Sequence, residues 1–250
     1  MANFKFLFGS GNAWIITRNT ILYNVAFIII GTVVPIAAAI LFNSIQRPFA
    51  KKFYQTSILL PYLMSMVVVS YLTFAFLSAD TGYVNKTILP MLGNSESINF
   101  YQEKKYWPYI LIFVNQWKSL GFGMVIYLAS ILGISPDLYE AAKVDGAGQW
   151  KQIIYITLPS LKPTIITLFV LNMGRMFYSD FGLFYQVPRN SGMLYDVTMT
   201  IDVYVYNALM GRNNMGMSSA AGFYQSIVGF AMVILSNMLI RKLSREDALF

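Results

Sequence analysis

Two clusters of polar and aromatic residues interrupt otherwise apolar stretches of the chain. The first cluster is Asn115, Gln116, Trp117 and Lys118. The second cluster contains Asn172, Arg175, Tyr178, Ser179 and Asp180. Amide, guanidinium and carboxylate groups bind sugar hydroxyls, and Trp and Tyr rings pack on the C–H faces of sugars. These residue types therefore point to saccharide recognition.

A second interpretation of the same residues stays open. Polar side chains in membrane helices also pair across helices and cover polar backbone, and this accounts for each residue taken singly. The spacing i, i+3, i+7 of Asn172, Arg175 and Ser179 predicts that these three share one helix face. We expect the two clusters to line one cavity and to form the substrate pathway.

The composition excludes several kinds of site. The chain contains no cysteine and no histidine, which rules out disulfides, thiolate metal sites, histidine acid–base chemistry and Ser–His triads. No paired carboxylates are evident, and Asp196 and Asp202 are interpreted as solvated residues of an outer loop. Neither a GxxxxGK[ST] nor a GxGxxG pattern is present. We therefore predict no catalytic residue, metal site or cofactor on this chain.

The longest polar interruption is residues 135–163, SPDLYEAAKVDGAGQWKQIIYITLPSLKP. Ser135 is a good N-cap, and Pro136 fits the first helical position. These residues predict a helix from Pro136 to about Val144, followed by a turn at Asp145-Gly146. A second helix is predicted from about Ala147, ending before Pro159.

This helix–turn–helix carries one charge, Glu140, on a surface of small residues. The small residues are Ala141, Ala142, Gly146, Ala147 and Gly148. Such a surface lets another backbone come close and suits docking into a groove of a partner protein. An ordinary capped loop between two helices is the alternative.

The stretch resembles the EAA loop of ABC-transporter permeases. Glu140-Ala141-Ala142 is separated by three residues from Gly146, and Gly146 is separated by nine residues from Ile156. One further residue separates Ile156 from Leu158-Pro159. The remaining features resemble the maltose-type, sugar-importing branch, namely Asp145-Gly146-Ala147, Trp150 and Pro163.

The resemblance implies a role for this loop. In that family the loop is a coupling helix that sits in a cleft of a separate ATPase subunit, where its glutamate pairs with a basic residue. Glu140 is then the contact charge and Gly146 the turn. The implied ATPase-coupling residues are Glu140, Ala141, Ala142, Asp145, Gly146, Ala147, Ile156, Leu158 and Pro159.

The resemblance also implies the partners. It predicts a transmembrane subunit of a binding-protein-dependent importer of a sugar, more specifically an oligosaccharide. The expected partners are a second homologous permease subunit, two ATP-binding cassette ATPase subunits, and an extracellular solute-binding lipoprotein or periplasmic protein. ATP and Mg²⁺ belong to the partner subunits. The rival hypotheses are an ATP-independent channel or secondary transporter, an ABC importer of a non-sugar solute, and a membrane enzyme.

Composition indicates an all-α integral membrane protein. The chain is 56% apolar with 12% charged residues, about half the charge of a soluble domain, and its mean hydropathy is +0.54. One permease domain is predicted over 1–250, with the coupling loop at 135–162. Its predicted spans are about 20–42, 56–78, 108–132, 163–184 and 222–240.

Charge distribution sets the expected orientation. With the coupling loop in the cytoplasm, the 43–55 loop and the C-terminus also lie inside, and these segments hold nine Lys and Arg in about 53 positions. The outer segments hold seven in about 86. Orientation and anionic lipid explain the net charge of +7 better than nucleic acid does. The expected location is the cytoplasmic membrane of a prokaryote.

Five spans place the N-terminus outside. Permeases of the resembled family commonly have six spans, and the resemblance begins just after their usual first span. We therefore expect a missing upstream helix, and a natural five-span core is the alternative. The outer segments 79–107 and 185–221 are expected to face the binding protein.

Overall fold

The structure is a computed structural model that describes residues 2–9, 11–93, 96–211 and 213–243. These residues form helices and connecting turns with no β-strand among them, which confirms the predicted all-α class. In chain order the helices are α1 (Ala2–Gly9), α2 (Asn12–Asn43), α3 (Pro48–Leu63), α4 (Met66–Leu77), α5 (Leu89–Met91), α6 (Trp107–Leu132), α7 (Pro136–Val144), α8 (Gln149–Gln152), α9 (Leu158–Gly174), α10 (Tyr195–Thr198), α11 (Ile201–Tyr206) and α12 (Met215–Leu243).

Short turns of other helical types complete the described part of the chain. Single π-turns cover Val84–Ile88, Ile153–Thr157, Gly182–Gln186 and Asn207–Gly211, and 3₁₀ turns cover Lys104–Tyr106 and Gly192–Leu194. Segments 79–107 and 185–221, which are predicted to lie outside, thus contain several short helical pieces.

Within the described residues, four helical segments are long and apolar enough to cross a membrane. They are Asn12–Asn43, Lys104–Leu132, Gln149–Gly174 and Met215–Leu235. The pair α3 and α4 makes a fifth if the two helices together form one broken span. This agrees with the five predicted spans, and α6 matches the predicted span 108–132 within one residue.

The first and last spans begin earlier than predicted. Helix α2 starts at Asn12 rather than near residue 20, and Ile16 of the added turns is fully buried. Helix α12 starts at Met215 rather than near 222, because the Asn214 side chain caps it by accepting from the Met217 N–H at 2.9 Å. The polar residues at the start of each helix therefore do not end it. Packing of Ile16 stabilises the first turns of α2, and the Asn214 cap stabilises the first turn of α12.

The second span, predicted as one helix over 56–78, is broken between Leu63 and Met66. Ser65 has an extended backbone conformation, and its hydroxyl accepts from the Val68 N–H at 3.3 Å. A serine that caps a new helix cannot also continue the previous one, which explains the break.

The fourth span was predicted over 163–184, and both of its ends are wrong. The helical run begins at Gln149 and ends at Gly174. Pro159 does not stop this helical run. The π-turn before it ends at Thr157, so α9 starts at Leu158 and Pro159 lies in the first turn of α9. A residue in the first turn of an α-helix does not need to donate its N–H to a carbonyl of that helix. The chain leaves the helix at Gly174 because side chains from other segments bind the backbone that follows.

The residues divide into two compact units. Unit 1 contains residues 1–27, 64–115 and 174–235, and unit 2 contains residues 28–63, 116–173 and 236–250. Unit 1 has two apolar clusters. One joins Leu7 of α1 to Phe177 and Ile201, and the other surrounds Trp107 and Phe184.

Unit 2 has one apolar cluster, which contains Phe42, Met124, Tyr127 and Leu161. Gly121 of α6 lies against the backbone of α3, where a methyl group would come within 2.9 Å of the Leu59 Cα and overlap the Ile58 carbonyl. A methyl at Gly123 would lie 3.0 Å from the Pro35 ring. Both glycines permit close helix packing.

Candidate functional site

Helix α7 begins as the sequence predicts. Ser135 accepts from the Asp137 N–H at 3.3 Å, and Pro136 takes the first helical position. The Tyr139 hydroxyl lies 2.9 Å from the buried Thr157 hydroxyl, so α7 is tied to the π-turn that follows α8.

The end of α7 is a Schellman motif centred on Gly146. Its φ of 78° lies in the left-handed region. The Gly146 N–H donates to the Lys143 carbonyl at 3.0 Å, and the Ala147 N–H donates to the Ala142 carbonyl at 2.8 Å. The chain therefore satisfies the last carbonyls of α7 with its own next two residues. The predicted turn at Asp145-Gly146 is confirmed.

The second helix of the loop begins at Gln149, two residues later than predicted, and runs on through Pro159 instead of ending before it. The Gln152 amide donates to the Ala147 carbonyl at 2.9 Å and so fixes the connection between the two helices. The loop is therefore rigidly joined to the membrane-spanning part of α9.

The loop exposes a mixed surface. Glu140, Ala141, Asp145 and Gly146 are exposed, whereas Ala142, Ala147 and Ile156 are half-buried. The carboxylate of Glu140 has no hydrogen-bond or ion-pair partner in the part of the chain that the structure describes. Large apolar side chains are exposed beside it, including Val144 at 88%, Trp150 at 77%, Tyr155 at 75% and Leu158 at 38%. Pro159 is exposed as well.

An exposed apolar surface with an exposed carboxylate is compatible with the predicted docking of this loop into a partner protein, and an ordinary capped loop stays the alternative. The residue-by-residue coupling roles remain predictions.

The first polar cluster lies in the middle of α6, and its members do different things. The Lys118 ammonium donates to the Tyr62 carbonyl at 2.8 Å and lies 5.4 Å from the centre of the Tyr62 ring. Tyr62 is in the last turn of α3, where carbonyls lack intrahelical partners. Lys118 thus caps the helix at the break of the second span.

Gln116 and Trp117 are held by fewer side-chain contacts than Lys118. The buried Gln116 Nε2 has no hydrogen-bond partner among the described residues, and the Gln116 carbonyl oxygen faces Gly31. Trp117 is about one-third exposed. Asn115 belongs to unit 1, whereas Gln116, Trp117 and Lys118 belong to unit 2.

The second polar cluster surrounds the end of α9. Asn172 is exposed on the last turn of the helix, and Arg175, Tyr178 and Asp180 are exposed beyond it. The prediction that Asn172, Arg175 and Ser179 share one helix face is wrong, because the helix ends at Gly174. Asp180 accepts from the Leu183 N–H at 3.0 Å and starts the next turn.

Ser179 is the anchor of this non-helical segment. Its N–H and its hydroxyl both donate to the Asp202 carboxylate at 2.7 Å, and its hydroxyl also lies 2.7 Å from the Thr200 hydroxyl. The Gln225 amide donates to Asp202 at 3.1 Å and to the Phe177 carbonyl at 3.1 Å.

Asn24 completes the anchoring by donating to the Tyr178 carbonyl at 3.0 Å. Asp202 was interpreted as a solvated loop residue, which is wrong, because it accepts three hydrogen bonds. Asn24 and Gln225 were missed. Each is a polar residue inside an apolar stretch, a signal that already marks functional positions in membrane helices.

The structure brings Arg175, Tyr178, Ser179 and Asp180 together within unit 1. Asn172 belongs to unit 2 with Lys118. That both clusters line one cavity remains a prediction.

The fold defines a helical membrane protein with several apolar spans and an exposed polar helix–turn–helix between α6 and α9. A family model described as the inner membrane component of binding-protein-dependent transport systems matches residues 31–245. The chain belongs to this family of transport permeases.

Individual relatives match nearly the whole of this chain and about three quarters of their own length. The polygalacturonan/rhamnogalacturonan transport system permease protein YteP of Bacillus subtilis is 34% identical over 98% of this chain and 75% of its own length. The arabinooligosaccharides transport system permease protein AraP of Halalkalibacterium halodurans is 29% identical over 92% of this chain and 72% of its own.

Among solved structures, the chain resembles a bacterial ABC transporter involved in the import of the acidic polysaccharide alginate. The match has a TM-score of 0.90 and 31% identity, and it covers 98% of this chain and 84% of that one.

Proposed function

We propose that the chain is the transmembrane permease subunit of an ATP-driven, solute-binding-protein-dependent ABC importer, and that its cargo is an oligosaccharide. The observation that carries the proposal is the rigid, exposed loop around Glu140. The cargo class is supported by the relatives, whose names refer to polygalacturonan/rhamnogalacturonan and to arabinooligosaccharides, and by the importer of the polysaccharide alginate.

The loop is the contact for an ATPase subunit. Glu140 supplies a negative charge for a basic residue of the partner, and Val144, Trp150 and Tyr155 supply apolar contact around it. Because the loop continues into α9, a displacement of the docked ATPase reaches the membrane part of the protein directly. A second permease subunit and an external binding protein complete the complex.

Energy enters through the partners. ATP and Mg²⁺ bind to the ATPase subunits, and this chain performs no catalysis in the proposal. ATP binding closes the ATPases, moves the coupling loops and opens the pathway outward, so that the binding protein releases its sugar. Hydrolysis restores the inward-facing state.

Within the membrane, the cargo meets the exposed polar side chains near the end of α9. Arg175, Tyr178 and Asp180 offer donors, an aromatic face and acceptors in one short segment. Gln116 adds an amide nitrogen that has no protein partner in the described part of the chain. The chain serves as one permease domain in the cytoplasmic membrane of a prokaryote, with the coupling loop in the cytoplasm.

The test compares wild type with Glu140→Lys by affinity purification from mild detergent, followed by transport in reconstituted vesicles. Wild type is expected to recover an ATPase and a second permease. Glu140→Lys is expected to lose the ATPase, because like charges meet at the contact. Glu103→Lys is the matched charge reversal, since Glu103 is an exposed carboxylate of another loop.

Two results would contradict the proposal. Recovery of a homo-oligomer without any ATPase would favour a channel or a secondary transporter. Normal ATPase recovery and transport by Glu140→Lys would remove the role assigned to Glu140. Transport of a non-sugar solute by the intact complex would retain the importer and replace the cargo.

A further inference from the structure

Unit 1 contains a cavity of about 870 Å³ that the importer function described above does not use. It is formed by α1, the start of α2, segment 190–199, α11 with the π-turn after it, and the start of α12. Its volume lies within the range of roughly 300–1,000 Å³ found for small-molecule sites.

Amides dominate the polar lining. Five asparagines contribute, namely Asn3, Asn12, Asn190, Asn207 and Asn214. Each amide carries two donor hydrogens and an acceptor oxygen, which matches the paired donor and acceptor character of sugar hydroxyls. Neither lysine nor arginine is among the described residues that line the cavity, and the lining Asp196 is paired with Lys104. This chemistry suits a neutral ligand better than an acidic one.

The central amides are pre-organised. Asn190 donates to the Asn207 oxygen at 3.2 Å, and Asn207 donates back to the Asn190 oxygen at 2.9 Å. The Tyr195 hydroxyl also donates to the Asn190 oxygen, at 3.1 Å. The Asn207 amide also donates to the Tyr195 hydroxyl at 3.4 Å. These bonds leave Asn190 one amide hydrogen, Asn207 one oxygen lone pair and Tyr195 one hydroxyl lone pair for a ligand.

The backbone holds this arrangement in an uncommon conformation. Asn190 has a φ of 46° and its neighbour Arg189 a φ of 56°, values that non-glycine residues seldom adopt. The Asn190 N–H is fixed by the Tyr185 carbonyl at 3.0 Å. The Arg189 N–H donates to the Gln186 carbonyl at 3.0 Å, so the two residues close the end of the preceding helical turn and hold the Asn190 backbone in place.

We propose that this cavity binds a neutral saccharide unit through the amides of Asn190 and Asn207 and the hydroxyl of Tyr195. The proposal rests on the sugar-importer function. Its lining comes from segments 1–19 and 185–221, which that function places outside the membrane, where the binding protein delivers cargo. The cavity is an entry subsite that holds one end of an oligosaccharide before the chain enters the membrane pathway.

The experiment uses the assembled importer in nanodiscs, without nucleotide and without its binding protein. Binding of tritiated maltotriose and arabinotriose is measured at equilibrium, with trigalacturonate as the acidic counterpart. Wild type is expected to bind at least one neutral trisaccharide saturably and more tightly than the acidic one. Asn207→Leu is expected to weaken that binding about tenfold, the effect of losing one or two ligand hydrogen bonds.

A second variant protects the test against a folding defect. Gly192 is exposed and lines the cavity, and a side chain there would first meet the Tyr195 ring, at 3.9 Å. Gly192→Phe fills the cavity without removing any of its hydrogen bonds and is expected to weaken binding by a similar factor. Asn99→Leu is the matched control, because Asn99 is an exposed asparagine outside the cavity.

Three results would overturn the inference. They are no saturable binding of a neutral trisaccharide by wild type, a preference of wild type for trigalacturonate, and wild-type trisaccharide binding by both cavity variants. ATPase recovery and sugar transport are measured on the same preparations. A transporting, ATPase-coupled complex with unaltered binding in the variants refutes the entry subsite alone. Absence of ATPase and of sugar transport in wild type refutes the importer function itself.

Discussion

Two helices of this protein end in opposite ways. Helix α7 ends at Val144, and the N–H groups of Gly146 and Ala147, in the turn that follows, bind its last carbonyls. Helix α9 ends at Gly174, and the backbone beyond it is bound by the side chains of Asn24, Asp202 and Gln225, which come from distant parts of the sequence. The first end is exposed and local, and the second depends on long-range polar contacts.

The difference separates two kinds of functional surface. The coupling loop keeps its shape through residues within one short stretch, so it can present Glu140 to a partner without support from the rest of the protein. The segment 175–180 keeps its shape only because other helices bind it. Its exposed Arg175, Tyr178 and Asp180 will therefore move whenever those helices move, which suits a transport pathway.

The largest effect is expected from Asp202→Ala, which disrupts the hydrogen bonds that hold the segment after the end of α9. This change leaves the Ser179 N–H without its acceptor and the Ser179 hydroxyl with Thr200 alone, and it costs about 3 kcal/mol of folding free energy. The thermal unfolding midpoint in detergent should fall by about 10 °C, and sugar transport should be lost.

The control for Asp202→Ala is Asp196→Ala, which removes an exposed ion pair with Lys104 and should change the midpoint little. Equal midpoints for the two variants would mean that the Asp202 network does not hold the segment.

The second-largest effect is expected from Gly146→Val, which changes the turn at the end of α7. A β-branched residue at a φ of 78° costs about 2 kcal/mol, so the Schellman turn should open and ATPase recovery should fall at least about tenfold. Because the damage is local, the thermal midpoint of the membrane part should stay near that of wild type.

Gly148→Val is matched to Gly146→Val. A side chain added at either glycine would enter open space, and the two positions differ in backbone conformation, since Gly148 has a φ of −67°. Full ATPase recovery with Gly146→Val, or equal losses in both variants, would show that positive φ is not what matters.

A smaller effect is expected at the break of the second span, with Lys118→Met. Loss of the ammonium leaves the Tyr62 carbonyl uncapped and costs about 1.5 kcal/mol, a midpoint shift of about 4 °C. Hydrogen exchange should increase at residues 60–66. Lys162→Met, an exposed lysine of α9, should leave both measurements unchanged, and faster exchange in that variant would argue against capping by Lys118.

The smallest effect is expected from Ser65→Ala, which removes the cap of α4. The exposed, 3.3 Å bond contributes about 0.5 kcal/mol, a shift of about 1–2 °C. Ser57→Ala removes a hydroxyl that only binds its own helix, at the Phe53 carbonyl, and should shift the midpoint less. The reverse order would mean that Ser65 does not determine the break.

The same contrast explains which predictions succeeded. The α7 cap at Ser135, its length and the turn at Gly146 follow from residues a few positions apart, and all were predicted correctly. Helix α6 was predicted to within a residue, because Pro108 marks its start and the polar stretch from Ser135 follows its end. The roles of Pro159 and Asp202 were predicted wrongly, because each depends on a neighbour that local rules do not include: a π-turn before Pro159, and Ser179 twenty-three residues before Asp202.

The sequence by itself determined the membrane class, the number of apolar stretches, the form of the coupling loop and the family resemblance. These follow from composition and from hydrogen bonds that close within about six residues. Only the tertiary structure decided where the second and fourth spans break and which polar groups hold those breaks. Inside an apolar protein a backbone group released from a helix must find a polar partner, and here the partners come from distant helices: Lys118 for Tyr62, and Asp202 for Ser179.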